Sequence, residues 1–480
     1  MQATTELLRN VPANDAIQPD DITATINRSW DDLFGMARPE AEAFQLTALR
    51  RRFAEQRPRL KALRAIADSA EVSGISALAD VVPLLFQDSV YKSYPVSLIE
   101  KNRFDLLTKW LGGYTTIDLE HVDVAGCGGI DDWLDALEAQ TPLRVIHTSG
   151  TTGKLSFFPR STVEVETWFL SYVKTIEGYG DEPGTRLGHP GDVRMPVVFP
   201  IPRYGRYIAQ RNLRMLETRV TATPEQLYTL TNGTLSADLV SLSGRIRVAQ
   251  AKGELAKMQL PEAMRVAMRR YLAETERRPA ESAEFFRRMV DELRGQRVFV
   301  SSTSNILFEA ATAGLARGMR QVFAPDSIGM TGGGGKGIVL PANWLDVIKE
   351  FTGISRWIMN YGMSEMVGVM PMGDDGWYHV PPYYIPFLLD PETGALLPRE
   401  GVVTGRFAFH DLLAQTNWGG VITGDKVTID WDGISPSGRK GPRIRADIER
   451  YSAAVTGEDK VTCAATVDNT DKALQALLAI

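Results

Sequence analysis

His147-Thr148-Ser149-Gly150-Thr151-Thr152-Gly153-Lys154-Leu155-Ser156 packs hydroxyls, glycines and one ammonium into ten residues, directly after a short apolar run that starts at Leu143. Polyphosphate binding calls for this mixture. Glycines let backbone N–H groups approach phosphate oxygens, hydroxyls donate further hydrogen bonds, and a lysine offsets negative charge. The plainer reading is a flexible Ser/Thr/Gly turn, and the spacing narrows the choice. A Walker loop places four residues between its glycines and then Lys-Ser/Thr, whereas Gly150 and Gly153 enclose two. The run Gly332-Gly333-Gly334-Gly335-Lys336 fails the same test, with Met330 in place of the first glycine and Gly337 in place of the hydroxyl. Gly362-Met363-Ser364-Glu365-Met366 lacks the closing glycine of a hydrolase nucleophile elbow.

Outward from the loop, strand patterns fall near Met195–Pro200, Arg297–Ser301, Val402–His410 and Gly420–Asp430, with helical patterns between several of them. The clearest helices are expected at about 252–276 and 282–294, where Phe285, Phe286, Met289 and Leu293 form one apolar stripe read as core. Before the loop, Leu46, Leu49, Phe53, Leu60 and Leu63 carry helical periodicity interrupted at Pro58. The expected fold class is α/β, a large body of packed sheets and helices with a small C-terminal appendage. The expected parts are a helical lead-in over 1–110, a core over 111–436 and a shortened subdomain over 437–480, with a strand at Lys460–Val467 and a helix at Asp471–Leu478.

Composition fits this reading: of 480 residues, 44% are hydrophobic and 23% charged, ordinary values for a globular enzyme. Fifty-three basic against 59 acidic residues leave a net charge of −6, so no basic field is available for a nucleic-acid backbone. Arg50, Arg51 and Arg52 read as a solvated helix face. Cys127 and Cys463 are too few for a disulfide framework or a cysteine-rich zinc site, which suits a reducing, cytoplasmic location. No apolar stretch is long enough for membrane insertion, and the polar start carries no export pattern. His147, His379 and His410 are read as structural.

The segment Thr148 to Gly153 resembles the phosphate loop of the adenylate-forming superfamily of acyl-CoA synthetases, peptide-synthetase adenylation domains and luciferases. Two further signatures follow in that family's order. Tyr361-Gly362-Met363-Ser364-Glu365 looks like its Tyr-Gly-x-Ser/Thr-Glu motif, and Thr423-Gly424-Asp425 like its Thr-Gly-Asp motif. Gly438-Arg439 sits where the family has its Gly-Arg hinge, fourteen residues after the aspartate. Lys154-Leu155-Ser156-Phe157 and the Gly-rich run with Lys336 look nearest to the acyl-protein synthetase (LuxE-like) branch and the related phenylacetate-CoA ligases.

The resemblance implies ATP-dependent activation of a small carboxylic acid as its acyl-AMP and transfer of the acyl group to a thiol, CoA or a protein cysteine, with a carrier protein or partner enzyme as a possible associate. It places Thr148, Ser149, Gly150, Thr151, Thr152, Gly153 and Lys154 on the phosphates and Glu365 on Mg²⁺, a hard cation that takes oxygen ligands. Asp425 would accept from the ribose hydroxyls and Arg439 would grip ribose or phosphate. Tyr361 would stack on the adenine, Gly362, Met363 and Ser364 would belong to the same nucleotide site, and Gly333, Gly334 and Gly335 would permit close approach of the base. Lys154, Glu365 and Arg439 are the implied catalytic groups. The family's late lysine has no convincing equivalent, since Lys460 and Lys472 come too early, and Cys463 stands where the branch carries an acyl-accepting cysteine. Acyl-pocket walls are expected from Val197–Tyr207 and Ser301–Phe308. A non-thiol acceptor such as an amine, or a nucleotide-binding protein with impaired catalysis, are the competing readings.

Overall fold

The protein is described by a computed structural model over residues 25–26, 28–148, 154–177, 194–254, 262–332 and 340–451. Its principal helices are α1 (Trp30–Gly35), α2 (Arg38–Gln56), α3 (Lys61–Ser69), α4 (Phe104–Leu111), α5 (Ile130–Gln140), α6 (Thr162–Glu177), α7 (Ile208–Arg219), α8 (Ala237–Ala251), α9 (Glu262–Leu293), α10 (Ser304–Ala316) and α11 (Trp344–Thr352). The strands are β1 (Phe86–Gln87), β2 (Ile146–His147), β3 (Phe157–Phe158), β4 (Val197–Gly205), β5 (Leu227–Leu235), β6 (Phe299–Ser302), β7 (Ile328–Gly332), β8 (Trp357–Tyr361), β9 (Met370–Pro371), β10 (Trp377–His379), β11 (Tyr384–Leu389), β12 (Val402–Asp411), β13 (Gly420–Asp430), β14 (Arg443–Arg445) and β15 (Glu449–Arg450). This is an α/β architecture, as the alternating patterns require.

Six strands in the order β5-β4-β6-β7-β8-β9 make the first sheet, parallel except for β9. Such a sheet is stable only with both faces covered. Val197, Phe199 and Phe299 pack beneath Trp168, Tyr172, Leu213 and Leu216 of α6 and α7. Their strand neighbours Val198 and Val300 point the other way, onto Phe285, Phe286, Met289, Leu293 and Phe351 of α9 and α11, as the two-residue period of a strand dictates. The stripe read as core is core.

The second sheet runs β10-β14-β13-β12-β11, with β1 parallel and β15 antiparallel to β13. Phe407, Phe409, Trp418 and Trp431 fill its inner face against α1 to α3. Helix α2 ends at Gln56, just ahead of Pro58, and buries Phe44, Ala48, Leu49 and Phe53. Residues 437–451, assigned from sequence to an appendage, contribute β14 and β15 to this sheet, while the expected strand and helix at 460–478 and Cys463 lie outside the described residues.

Two local expectations change. From Glu262 onward the helices expected at 252–276 and 282–294 are one helix, α9, that runs through Pro279, its C-terminal half held by packing on the first sheet. Arg52 does not lie on a solvated face, because its guanidinium reaches inward to donate to the Leu412 carbonyl at 3.1 Å.

Candidate active site

The phosphate-loop candidate is the connection of a two-stranded ribbon. Ile146 pairs with Phe158 and His147 with Phe157, and the ladder is continued by Thr148, whose N–H donates to the Ser156 carbonyl at 3.1 Å and whose Oγ1 accepts from the Ser156 N–H at 3.0 Å. Ser149 to Gly153 lie outside the described residues, but both ends of the loop are thereby held together. Lys154 closes it, with Nζ donating to the Lys92 carbonyl at 3.1 Å and lying 5.1 Å from the centre of the Tyr94 ring. Burial, helped by the neighbouring Lys92 charge, lowers its pKa. His147 is fully buried against Tyr207, and burial pulls it down to about 4, so it is neutral at ordinary pH.

Parallel strands converge on the same region. The carboxyl ends of β6, β7 and β8 fall at Ser302, Gly332 and Tyr361, the edge at which open α/β sheets bind ligands. A Cβ on Gly332 would stand 2.5 Å from the Asn360 carbonyl oxygen, so only glycine lets β7 and β8 close there. Ser304 and Thr331 share a hydroxyl contact at 3.0 Å, and Ser301 is bonded to the buried Tyr172 hydroxyl. Of the expected acyl-wall aromatics, Phe199 is in the core and Tyr204 is 52% exposed. Gly333, Gly334, Gly335 and Lys336 lie outside the described residues.

Tyr361 and Asp425, far apart in sequence, meet here: the phenol donates to Asp425 Oδ2 at 2.6 Å, across the gap between the two sheets. The Tyr361 ring lies near Tyr378 and Phe407, and burial together with the Asp425 charge holds its pKa well above the ordinary phenol value. Arg450 Nε donates to Asp425 Oδ1 at 3.1 Å, so both carboxylate oxygens are engaged. Thr423 shapes the bend before the aspartate, donating to the Phe407 carbonyl at 2.8 Å while accepting from the Asp425 N–H at 3.1 Å.

Glu365 lies four residues after Tyr361, half-buried, in a strap that buried polar side chains hold from beneath. Arg160, two residues beyond β3 and 2% exposed, donates from Nη2 to the carbonyls of Ser364 at 3.1 Å and Glu365 at 2.6 Å. Asp411 accepts from the Val367 N–H at 2.6 Å, and Ser171 Oγ accepts from the Val369 N–H at 3.0 Å. Burial pushes Asp411 up to about 6, against the pull of the Val367 N–H, of Arg160 and of the Leu413 N–H, which donates to its other oxygen at 2.9 Å. Nearby, Ser161 and Glu164 cap α6 reciprocally, at 3.1 and 2.6 Å, and Glu164 also takes the N–H groups of Gln415 and Thr416.

Sequence reading did not single out Arg160, Ser171 or Asp411. The Ser161-x-x-Glu164 spacing is a readable capping-box signal; nothing local distinguishes Arg160. The structure thus brings Thr148, Lys154, Tyr361, Glu365 and Asp425 onto one network of elements. Arg439 is placed differently: its guanidinium lies 5.9 Å from Trp30 and 5.8 Å from Phe34, at the turn after Gly438. Among the described residues no three His, Cys, Asp or Glu side chains gather as a metal cage. A Mg²⁺ at Glu365 would therefore take one side chain and complete its shell from phosphate and water, the usual arrangement for nucleotide-bound magnesium. A cavity of about 350 Å³ lies elsewhere, between β5 and α9, where Arg203, Tyr228, Phe285 and Arg288 line it. No helix among the described residues is long and apolar enough to cross a membrane.

No protein-family model matches the chain, and no curated protein matches it. Among solved structures it is similar to 2-hydroxyisobutyryl-CoA ligase in complex with 2-HIB-AMP and CoA in the thioesterification state, at 13% identity over 92% of this chain and 73% of that one, TM-score 0.48. ATP-bound MatB from Rhodopseudomonas palustris is similar at 15% identity over 63% and 46%, TM-score 0.33. A long-chain-fatty-acid-CoA ligase from Archaeoglobus fulgidus is similar at 10% identity over 64% and 50%, TM-score 0.34.

Proposed function

We propose that this protein is an adenylate-forming ligase that activates a carboxylic acid with ATP and passes the acyl group to a thiol. The observation that carries the reading is the Tyr361–Asp425 bond at 2.6 Å. It joins two motifs, read separately in the sequence, at the carboxyl edge of a parallel sheet, beside the strap that carries Glu365.

In the first half-reaction a carboxylate oxygen of the acid attacks the α-phosphorus of ATP, the bond to the bridging oxygen breaks, and pyrophosphate leaves with the electron pair. Two anions must meet, so the site needs N–H donors and cations aimed at the transferring group. Thr148, Ser149, Gly150, Thr151, Thr152 and Gly153 supply hydroxyl and backbone donors, and Lys154 the positive charge, after turning from the Lys92 carbonyl. Asp425 receives the ribose hydroxyls in exchange for Arg450, while Tyr361 keeps its bond to the other carboxylate oxygen. Glu365 would hold Mg²⁺, which would neutralise charge on the phosphates. In the second half-reaction a thiolate attacks the acyl carbonyl and AMP leaves. The acyl-protein synthetase branch, with CoA or a protein cysteine as acceptor, is supported by Lys154-Leu155-Ser156-Phe157 and the Gly-rich run ending at Lys336. A cytoplasmic location accords with two cysteines in 480 residues.

The test is carboxylate-dependent exchange of labelled pyrophosphate into ATP across aryl, short and long acyl acids, with Glu365→Ala as control. Exchange with one acid class, lost in the variant, supports adenylation; no exchange with any acid would overturn it. Dependence of the final product on CoA or on a protein thiol then separates the acceptors from an amine.

A further inference from the structure

We propose that Arg160 is a positioning residue that aims Glu365 at the metal-bound phosphates and ties that aim to the phosphate loop. The inference rests on the nucleotide reading above.

Three observations point to it. First, Arg160 is nearly inaccessible, yet the only hydrogen bonds of its guanidinium among the described residues go from Nη2 to the Ser364 and Glu365 carbonyls; Nε and Nη1 are buried with no hydrogen-bond partner among them. A buried guanidinium left so is unfavourable for the fold, and an apolar side chain of similar volume is often neutral or stabilising in its place. Packing alone does not explain it. Second, its own backbone is locked, since its carbonyl accepts from the Arg144 N–H at 2.7 Å, and β2 and β3 fix that stretch in register with the phosphate loop. A shift of the loop's returning strand therefore moves the guanidinium. Third, the strap it holds is pinned on its far side by Asp411 and Ser171 through the N–H groups of Val367 and Val369. With both flanks fixed, the two carbonyls that Arg160 grips determine where the Glu365 Cα sits and which way its side chain leaves the strap.

Groups that orient a metal ligand from behind typically change metal affinity by about 10- to 100-fold when removed. Calorimetry on the full chain would compare dissociation constants for ATP with Mg²⁺ and for ATP in EDTA, using wild type, Arg160→Met, Arg160→Lys, Glu365→Ala and Arg160→Met/Glu365→Ala. Expected are an Arg160→Met loss of about 10- to 100-fold for MgATP with the EDTA value within about twofold, an intermediate Arg160→Lys, and a double variant no worse than Glu365→Ala. Equal losses with and without Mg²⁺, or losses that multiply in the double variant, would overturn the proposal and leave Arg160 a structural residue. Should Arg160→Met not fold, Arg160→Lys carries the same comparison at smaller amplitude. Wild type that neither binds ATP nor exchanges pyrophosphate would instead bring down the nucleotide reading, and this inference with it.

Discussion

At the scale of single residues, the Tyr361–Asp425 contact and the Arg160 clamp make different demands. A phenol donating to a carboxylate contributes about 1.5–3 kcal/mol, more than a neutral pair. Tyr361→Phe should therefore lower exchange kcat/KM for ATP by roughly ten- to a hundredfold. Asp425→Ala should lower it further, because it also removes the acceptor proposed for the ribose; steady-state exchange across ATP concentrations checks both. An unchanged kcat/KM in Tyr361→Phe would mean that the bond is broken when nucleotide enters. These two residues were legible in the sequence because each sits in a short motif with an implied role. Arg160 was not: its meaning lies wholly in two carbonyls more than 200 positions away, and no local spacing encodes such a contact.

At the scale of elements, helices α5 and α8 cap one another. Asp238 accepts from the Ile130 and Asp131 N–H groups at 2.7 and 3.1 Å, and Asp131 accepts from the Ala237 N–H at 3.1 Å and the Ser236 hydroxyl. Each carboxylate thus stabilises the amino end of the other's helix. Gly129 makes room, since a Cβ there would meet Asp238 Oδ2 at 2.5 Å. Asp238→Ala should cost about 1–2 kcal/mol of stability, read as a lower urea midpoint with an unchanged slope. Helix α9 offers the opposite case. Pro279 is exposed inside it, where proline is unfavourable by up to about 3 kcal/mol relative to alanine. Pro279→Ala should raise the thermal midpoint. The helical periodicity on both sides of Pro279 was readable from the sequence; that the helix continues through it was decided by the burial of Phe285, Phe286, Met289 and Leu293 against the parallel sheet.

At the scale of the whole molecule, acid stability reflects groups that burial moves in opposite directions. His410, buried beside Trp418, is pulled down to about 3, first by burial and then by the Arg52 charge, and His147 to about 4. An unfolded histidine takes a proton near pH 6.5, so as pH falls through that value only the unfolded chain gains it, and stability drops until the folded pKa is reached. Asp238 and Asp411 do the reverse. Burial raises each to about 6, with the Asp131 charge adding to the rise at Asp238, so the folded state binds protons first and gains stability as pH falls from about 6 toward the usual carboxylate range. His410→Asn should therefore flatten the fall in thermal midpoint between pH 6.5 and 4, and Asp238→Asn should steepen it. A midpoint series against pH distinguishes the two slopes.

What the chain determined by itself is what depends on neighbours in sequence: the apolar runs that become strands, the core stripe of α9, the hydroxyl and glycine loop from Thr148 to Gly153, and the motifs at 361–365 and 423–425. These are written in residue type and spacing over a few positions. Tertiary structure alone decided which motifs touch, that the carboxylate of Asp425 faces Tyr361 and Arg450, that residues 443–450 complete a sheet, and that the buried Arg160, just beyond β3, holds the carbonyls of Ser364 and Glu365. Those outcomes depend on sheet order and register, where distant segments approach within hydrogen-bonding distance only once both cores have closed.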